Sequence, residues 1–208
     1  MKRLQLGVLA SGRGSNFEAI LRHIEAGKLW ADVRVLVSSR KTAGALEVAG
    51  AYGIPALAVS RKDFPTDEAF DENLLEIFQK HHVDFLILAG YLRLLTPVLI
   101  HPFKNKILNI HPALLPSFGG KGMYGPRVHE AVLEYGCRVS GVTVHLVDES
   151  YDSGPIVAQR CVPVENGDTP DTLAARVLEQ EHKIFPEALQ LFAEERIAIK
   201  GRRVYIQA

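Results

Sequence analysis

What most limits the folds open to this chain is the regular alternation, through its first half, of strand-length apolar runs with stretches of helical periodicity. The runs at 4–10, 32–38, 56–59, 85–89 and 106–110 are short and rich in Val, Ile, Leu and Ala. A strand buried on both faces reads in this way, whereas a strand with one wet face alternates polar and apolar residues. Between the runs, 16–26, 43–52 and 67–81 space their apolar residues roughly three to four apart, the repeat of an amphipathic helix. Gly27 and Gly53 stand where the first two helices should stop. Strand, helix and strand in succession predict a parallel sheet built from crossover units.

The second half departs from this rhythm. It opens with the Gly-rich loop Ser117-Phe118-Gly119-Gly120-Lys121-Gly122, and a helix is predicted near 128–135. Two strands are predicted next, at 138–147 and 155–164; in the first, Val142, Val144 and Leu146 alternate with Thr143 and His145. A long amphipathic helix over 170–195 and a hairpin around Lys200-Gly201 complete the chain. The expected fold class is α/β: one open twisted sheet, mostly parallel and Rossmann-like at first, with antiparallel additions later. The 208 residues suit one domain, 1–208, with halves 1–105 and 106–208.

Composition narrows the function classes. Twenty-four basic residues balance 24 acidic ones, so no global field favours nucleic acid or an anionic membrane, and an anionic ligand must be held locally. No segment approaches the roughly 18 consecutive apolar residues of a membrane span. Cys137 and Cys161 sit in no metal-binding spacing and are expected to be reduced thiols. The basic start, Met1-Lys2-Arg3, precedes an apolar run too short and interrupted for a secretory signal. A first strand explains it better, and the expected location is the cytoplasm.

Four constellations can carry chemistry. Ser11-Gly12-Arg13-Gly14-Ser15-Asn16 joins the first strand to the first helix, where glycines and free helix N–H groups favour a phosphate. Phe17 replaces the third glycine of a dinucleotide fingerprint, and no acidic residue follows the second strand. No Gly-Lys-Ser/Thr makes it a Walker loop, and the same residues serve as a tight turn capped by Ser15 or Asn16. Asn109 and His111, two apart at the end of the fifth strand, share a face at the carboxyl edge. A carboxamide and an imidazolium there can both donate to an oxyanion; the alternative is a hydrogen-bonded histidine at a strand end. Asp152, before Ser153-Gly154-Pro155, is either a turn residue or a carboxylate folded over the fifth strand, there to hold His111 in its charged form or to accept a proton from an attacking amine, directly or through water. Leu92, Arg93, Leu94 and Leu95 after Gly90-Tyr91 either line a slot for a flat heterocycle or pack the core before a helix begun at Pro97.

Taken in order, S-G-x-G-S-N, A-G-Y-x-R-L, N-I-H-P-A-L-L-P, G-K-G-M-Y-G, V-H-E-A-V, T-V-H and D-x-G-P-I resemble the glycinamide ribonucleotide formyltransferase family. The likeness runs through nearly the whole chain and implies the formyltransferase fold. It also implies formyl transfer from 10-formyltetrahydrofolate to the amine of glycinamide ribonucleotide, without a metal. By this resemblance Asn109, His111 and Asp152 are catalytic, and Gly14, Ser15, Asn16 and Glu181 bind the phosphorylated substrate. Folate is expected among Leu92, Arg93, Leu94, Leu95 and the loop from Asp148 to Asp152, with His129 and His145 in support and Arg61 or Lys62 toward the folate tail. Gly119 stands where the family pattern has Pro, a change expected to touch no catalytic position. Leu178 replaces a polar phosphate contact of some members, for which Arg176 or Lys121 is expected to compensate. The implied partners are small molecules, with no nucleic acid and no membrane, on a monomer or homodimer.

Two groups of competing readings remain. A methionyl-tRNA formyltransferase or a formyltetrahydrofolate deformylase shares the chemistry, and each is expected to carry a further domain. From other classes, an inert nucleotide-binding module would keep the phosphate loop and lose the Asn109, His111 and Asp152 set, and a nicotinamide dehydrogenase is disfavoured by Phe17.

Overall fold

The computed structural model describes residues 2–207. Seven strands form one sheet in the order β3-β2-β1-β4-β5-β6-β7: β1 Leu4–Ala10, β2 Ala31–Ser38, β3 Ala56–Ala58, β4 Phe85–Leu88, β5 Ile107–His111, β6 Val139–Leu146 and β7 Ile156–Pro163. The first five strands are parallel where they pair, and β5–β6 and β6–β7 are antiparallel. The expected mixed α/β sheet is the one observed. The helices are α1 Ser15–Glu25, α2 Gly44–Ala51, α3 Asp67–Lys80, α4 Pro97–Ile100, α5 Pro126–Glu134 and α6 Pro170–Ala193. The helix expected after Pro97 is a single turn. The terminal hairpin forms from β8 Ile197–Lys200 and β9 Arg203–Ile206.

Burial explains the unbroken apolar runs. Leu6 and Val8 pack with Phe17 and Ile20 of α1 and Phe185 and Leu189 of α6 in one core. Leu9, Val35 and Val37 face the other way, against Phe70, Leu74 and Phe78 of α3. Phe78 is fully buried, meets Phe103 edge-on at 6.3 Å, and fills the space where a Cβ on Gly7 would lie 2.8 Å from its ring. Phe78→Ala therefore empties the junction of β1 and α3. Urea unfolding should show a loss of about 3–5 kcal/mol, and a change under 1 kcal/mol would contradict this account of the core.

Chain order creates the binding position. From β1 the chain moves outward through β2 and β3, then returns to place β4 on the other side of β1. The connections leaving β1 and β4 diverge to opposite faces, which opens a crevice at their carboxyl ends. Its floor is tied by Ala89 N–H to Leu9 O at 2.9 Å and Ser11 N–H to Gly90 O at 3.1 Å.

Candidate active site

A cleft of about 960 Å³ lies over this crevice. At one end is the turn after β1. Gly14 caps α1 in the left-handed region (φ 88), and no side chain accepts from the first helical N–H groups. Ser15 and Asn16 thus lie inside the first turn and do not cap it. The reason is visible: the Asn16 amide donates instead to Glu181 Oε2 at 2.6 Å, binding α1 to α6. The helix start is left facing the cleft, with a positive dipole end suited to an anion. Burial pushes the Glu181 carboxyl upward, against the opposing hydrogen bond from Asn16.

At the other end, Asn109 and His111 project together from β5 into the cleft. The antiparallel register sets His145 opposite Asn109 and Thr143 opposite His111. The turn that carries Asp152 folds back over these strands. Asp148 Oδ1 holds it by accepting from Ser150 N–H at 3.1 Å and Ser153 Oγ–H at 2.5 Å. Gly154 lets it close, because a Cβ there would lie 1.8 Å from Leu146 O. Asp152 Oδ2 consequently comes within 3.5 Å of His111 Nδ1, and Oδ1 within 3.5 Å of Asn109 Nδ2. Asn109 and His111, neighbours on one face of β5, therefore meet at one point a carboxylate 43 residues on from Asn109.

Hydrogen-bond chemistry fixes the protons. His111 Nε2 lies 2.8 Å from the Phe118 carbonyl, which only accepts, so Nε2 carries hydrogen and Nδ1 faces Asp152. His145 Nδ1 donates to Leu146 O at 2.8 Å, which leaves its Nε2 to accept from Asn109 Nδ2 at 3.0 Å. The second Asn109 N–H meets Asp152 only at 3.5 Å, long for such a bond, and is free to turn to a ligand oxygen. Burial pushes His111 below its ordinary value of 6.5, against the pull of Asp152 and the Phe118 carbonyl. The unliganded ring is therefore held toward its neutral form. Burial alone would raise the Asp152 carboxyl, but His145, His111 and the Gly120 N–H outweigh it and hold it below 3.8.

Several further groups await partners. Asn16 Oδ1, Tyr91 Oη and His129 Nδ1 are buried without a hydrogen bond, and all three residues line the cleft. Unmet buried polar atoms beside a cavity are natural seats for ligand atoms. Burial and the nearby His111 push His129 down, to the neutral form. Leu92 and Leu94 are each 40% exposed at the cleft, while Leu95 is buried. Arg93 is tied to Asp67.

Other expected residues fall elsewhere. Asp148 shapes the turn and lies outside the cleft lining. Arg61 is engaged by Asp67 and the Phe64 carbonyl, and neither it nor Lys62 lines the cleft. Arg176 is spent on Asp168 and the Pro163 carbonyl, so it does not stand in for Leu178, whereas Lys121 does line the cleft. Arg13 and Arg40, unassigned from sequence, also line the cleft. Their signal was position alone, each just beyond the carboxyl end of a central strand. Among the described residues no group of three or more His, Cys, Asp or Glu is placed to hold a metal, and no helix is long and apolar enough to cross a membrane.

Residues 4–189 match the formyl transferase family. The chain belongs to that family. This formyl transferase is 48% identical over 197 residues to the chloroplastic phosphoribosylglycinamide formyltransferase of Arabidopsis thaliana, covering 94% of the chain and 68% of the plant protein. It is 37% identical to the phosphoribosylglycinamide formyltransferase of Bacillus subtilis, over 89% of the chain and 93% of that protein. Its fold matches glycinamide ribonucleotide transformylase 1 of Symbiobacterium toebii with a TM-score of 0.94 at 44% identity, covering 99% and 95% of the two chains.

Proposed function

We propose that this formyl transferase moves the formyl group of 10-formyltetrahydrofolate to the amine of 5-phosphoribosylglycinamide, giving formylglycinamide ribonucleotide and tetrahydrofolate in purine biosynthesis. The observation that carries the reading is the meeting of Asn109, His111 and Asp152 at one end of a cleft whose other end is an open helix start. Gly14, Ser15 and Asn16 take the substrate phosphate, and Glu181 reads the ribonucleotide beside them. Leu92 to Leu95 and the 148–152 turn enclose the folate, with Asp148 acting through the shape of the turn. Residues 1–105 thus supply the phosphate end and most of the folate slot, and 106–208 supply the chemistry. His129 and His145 support the catalytic set, His145 by holding the Asn109 amide.

The site's resting protons suit an attack by a neutral amine. The amine nitrogen bonds to the formyl carbon, and the carbonyl electron pair moves onto oxygen. Asn109 Nδ2–H donates to that oxygen. His111 Nδ1 and Asp152 Oδ2 face one another as two acceptors 3.5 Å apart, so the proton lost by the amine settles on Nδ1 in that gap, and the new Nδ1–H is shared between Asp152 and the charged formyl oxygen. When the carbon–nitrogen bond to folate breaks, the proton passes to the departing nitrogen and the carbonyl re-forms. No covalent enzyme intermediate is required.

The reading entails a cytoplasmic enzyme with small-molecule partners, no metal and no nucleic acid, acting as a monomer or homodimer. Its test is the absorbance of deformylated folate, followed with and without 5-phosphoribosylglycinamide. Folate should accumulate only with the acceptor; equal rates without it would mark a hydrolase.

A further inference from the structure

We infer that the stretch Phe118-Gly119-Gly120 is a backbone clamp that holds the His111 ring in one tautomer against Asp152, with Phe118 as a positioning residue. The catalytic consequence rests on the transfer reaction proposed above. The Phe118 carbonyl grips His111 by Nε2 at 2.8 Å, the nitrogen farther from the carboxylate. Two residues on, Gly120 N–H donates at 2.9 Å to Asp152 Oδ2, the oxygen that faces His111 Nδ1. One short segment thus grips both members of the pair and leaves only the gap between them free for a proton. A side chain is not what orients the ring; a peptide carbonyl is.

The segment reaches both groups because its backbone folds back on itself. Phe118 has φ 55 and Gly120 φ 96, and the left-handed region is unfavourable for a residue that carries a Cβ. The Phe118 side chain offsets that cost: its ring packs on the main core and stands edge-on to Tyr135 at 6.0 Å. Gly119 lies directly against the carboxylate arm. A Cβ there would come 2.5 Å from Leu115 Cδ2 and 3.2 Å from Asp152 Cβ. The departure from the family pattern at Gly119, expected to touch no catalytic position, in fact abuts Asp152. Upstream, the loop hangs from β6 and β7: Leu115 N–H donates to Thr143 Oγ1, Thr143 donates to Ala113 O, and Gln159 Nε2 donates to Leu115 O.

The test uses full-length protein with ¹⁵N-labelled histidine and needs no substrate for its first arm. In the wild type, His111 should show a single Nε2–H tautomer. Phe118→Ala removes the anchor that holds the left-handed turn, and a mixture of tautomers should appear. The His111 midpoint should fall, because the carbonyl is an acceptor that favours the imidazolium. In the second arm, kcat should drop about 10- to 100-fold with little change in KM, and Phe118→Tyr should restore both readouts. Should Phe118→Ala fail to fold, Gly119→Ala displaces the same segment and is read in the same way. A single Nε2–H tautomer with an unchanged midpoint in the folded variant overturns the clamp, even if turnover falls. Wild-type protein that forms no formylated product would instead overturn the proposed reaction, leaving the tautomer result to be judged by itself.

Discussion

Asn109→Ala and His111→Ala should each lower kcat by about 10²- to 10³-fold, the loss of one preorganised donor worth roughly 2.7–4 kcal/mol, while folate affinity stays within a few-fold. The asymmetry follows from where the groups point. Leu92, Leu94 and the 148–152 turn, which are assigned to the folate, remain untouched. The Asn109 N–H and the His111 ring act only where charge gathers on the former carbonyl oxygen. His145 Nε2 would lose its donor in Asn109→Ala, yet that ring keeps its bond to Leu146 O, so the pocket should stay ordered. Because the two donors serve one oxygen, the double variant should be far less impaired than the product of the single losses. Steady-state kinetics beside fluorescence titration with a reduced folate separate the effects. A His111→Ala enzyme with near-normal kcat removes the imidazole from the chemistry.

Asp152→Asn should be more damaging still, by about 10³-fold or more, as expected when the carboxylate that shares the transferred proton and sustains the imidazolium is replaced by its neutral isostere. The new carboxamide can still accept from Gly120 N–H through its oxygen, so the turn should survive. Its NH₂ would then take the place of Oδ1, toward Asn109 Nδ2 and His145 Nε2, and the neutral oxygen left facing His111 Nδ1 would be too weak an acceptor to share the transferred proton. The pH dependence has a definite sign. Burial already holds His111 below 6.5, and Asp152 is the main influence opposing that fall, so removing the charge should lower the His111 midpoint further. Stability follows the same logic. His111 is depressed in the folded state, so its contribution is present above about 6.5 and fades as pH falls through its folded value. Asp152 is also depressed, so its contribution is present above about 3.8 and fades as pH falls through its folded value. Acid titration of the variant should therefore lack the second, lower-pH loss. Undiminished turnover in Asp152→Asn would contradict a proton-sharing role.

Much of the fold was legible because burial on both faces leaves a direct trace in sequence. The runs read as β1 and β4 have no polar face to hide, and Gly27 and Gly53 mark the ends of α1 and α2 with positive φ values of 68 and 64. Strand order was not legible, since β4 could join either edge of the first three strands without changing its composition. The candidate site divides along the same line. Asn109 and His111 are two residues apart on a strand, so their common face is dictated by backbone geometry. Their approach to Asp152 depends on a turn held by Asp148, Ser150 and Ser153 and on the absence of a side chain at Gly154. His145 enters opposite Asn109 through an antiparallel register that no local pattern specifies. Arg176 shows the converse: a basic residue near the expected phosphate site turns out to be consumed by Asp168, a partner eight residues away on the approach to the same helix.

The most direct trial of the central claim is to follow a ¹³C-labelled formyl group by NMR from 10-formyltetrahydrofolate in the presence of 5-phosphoribosylglycinamide. The label should appear on the ribonucleotide amide in wild-type protein and should be nearly absent from that position, over the same interval, in Asp152→Asn. Label released chiefly as free formate, or equal transfer by both proteins, would contradict the account.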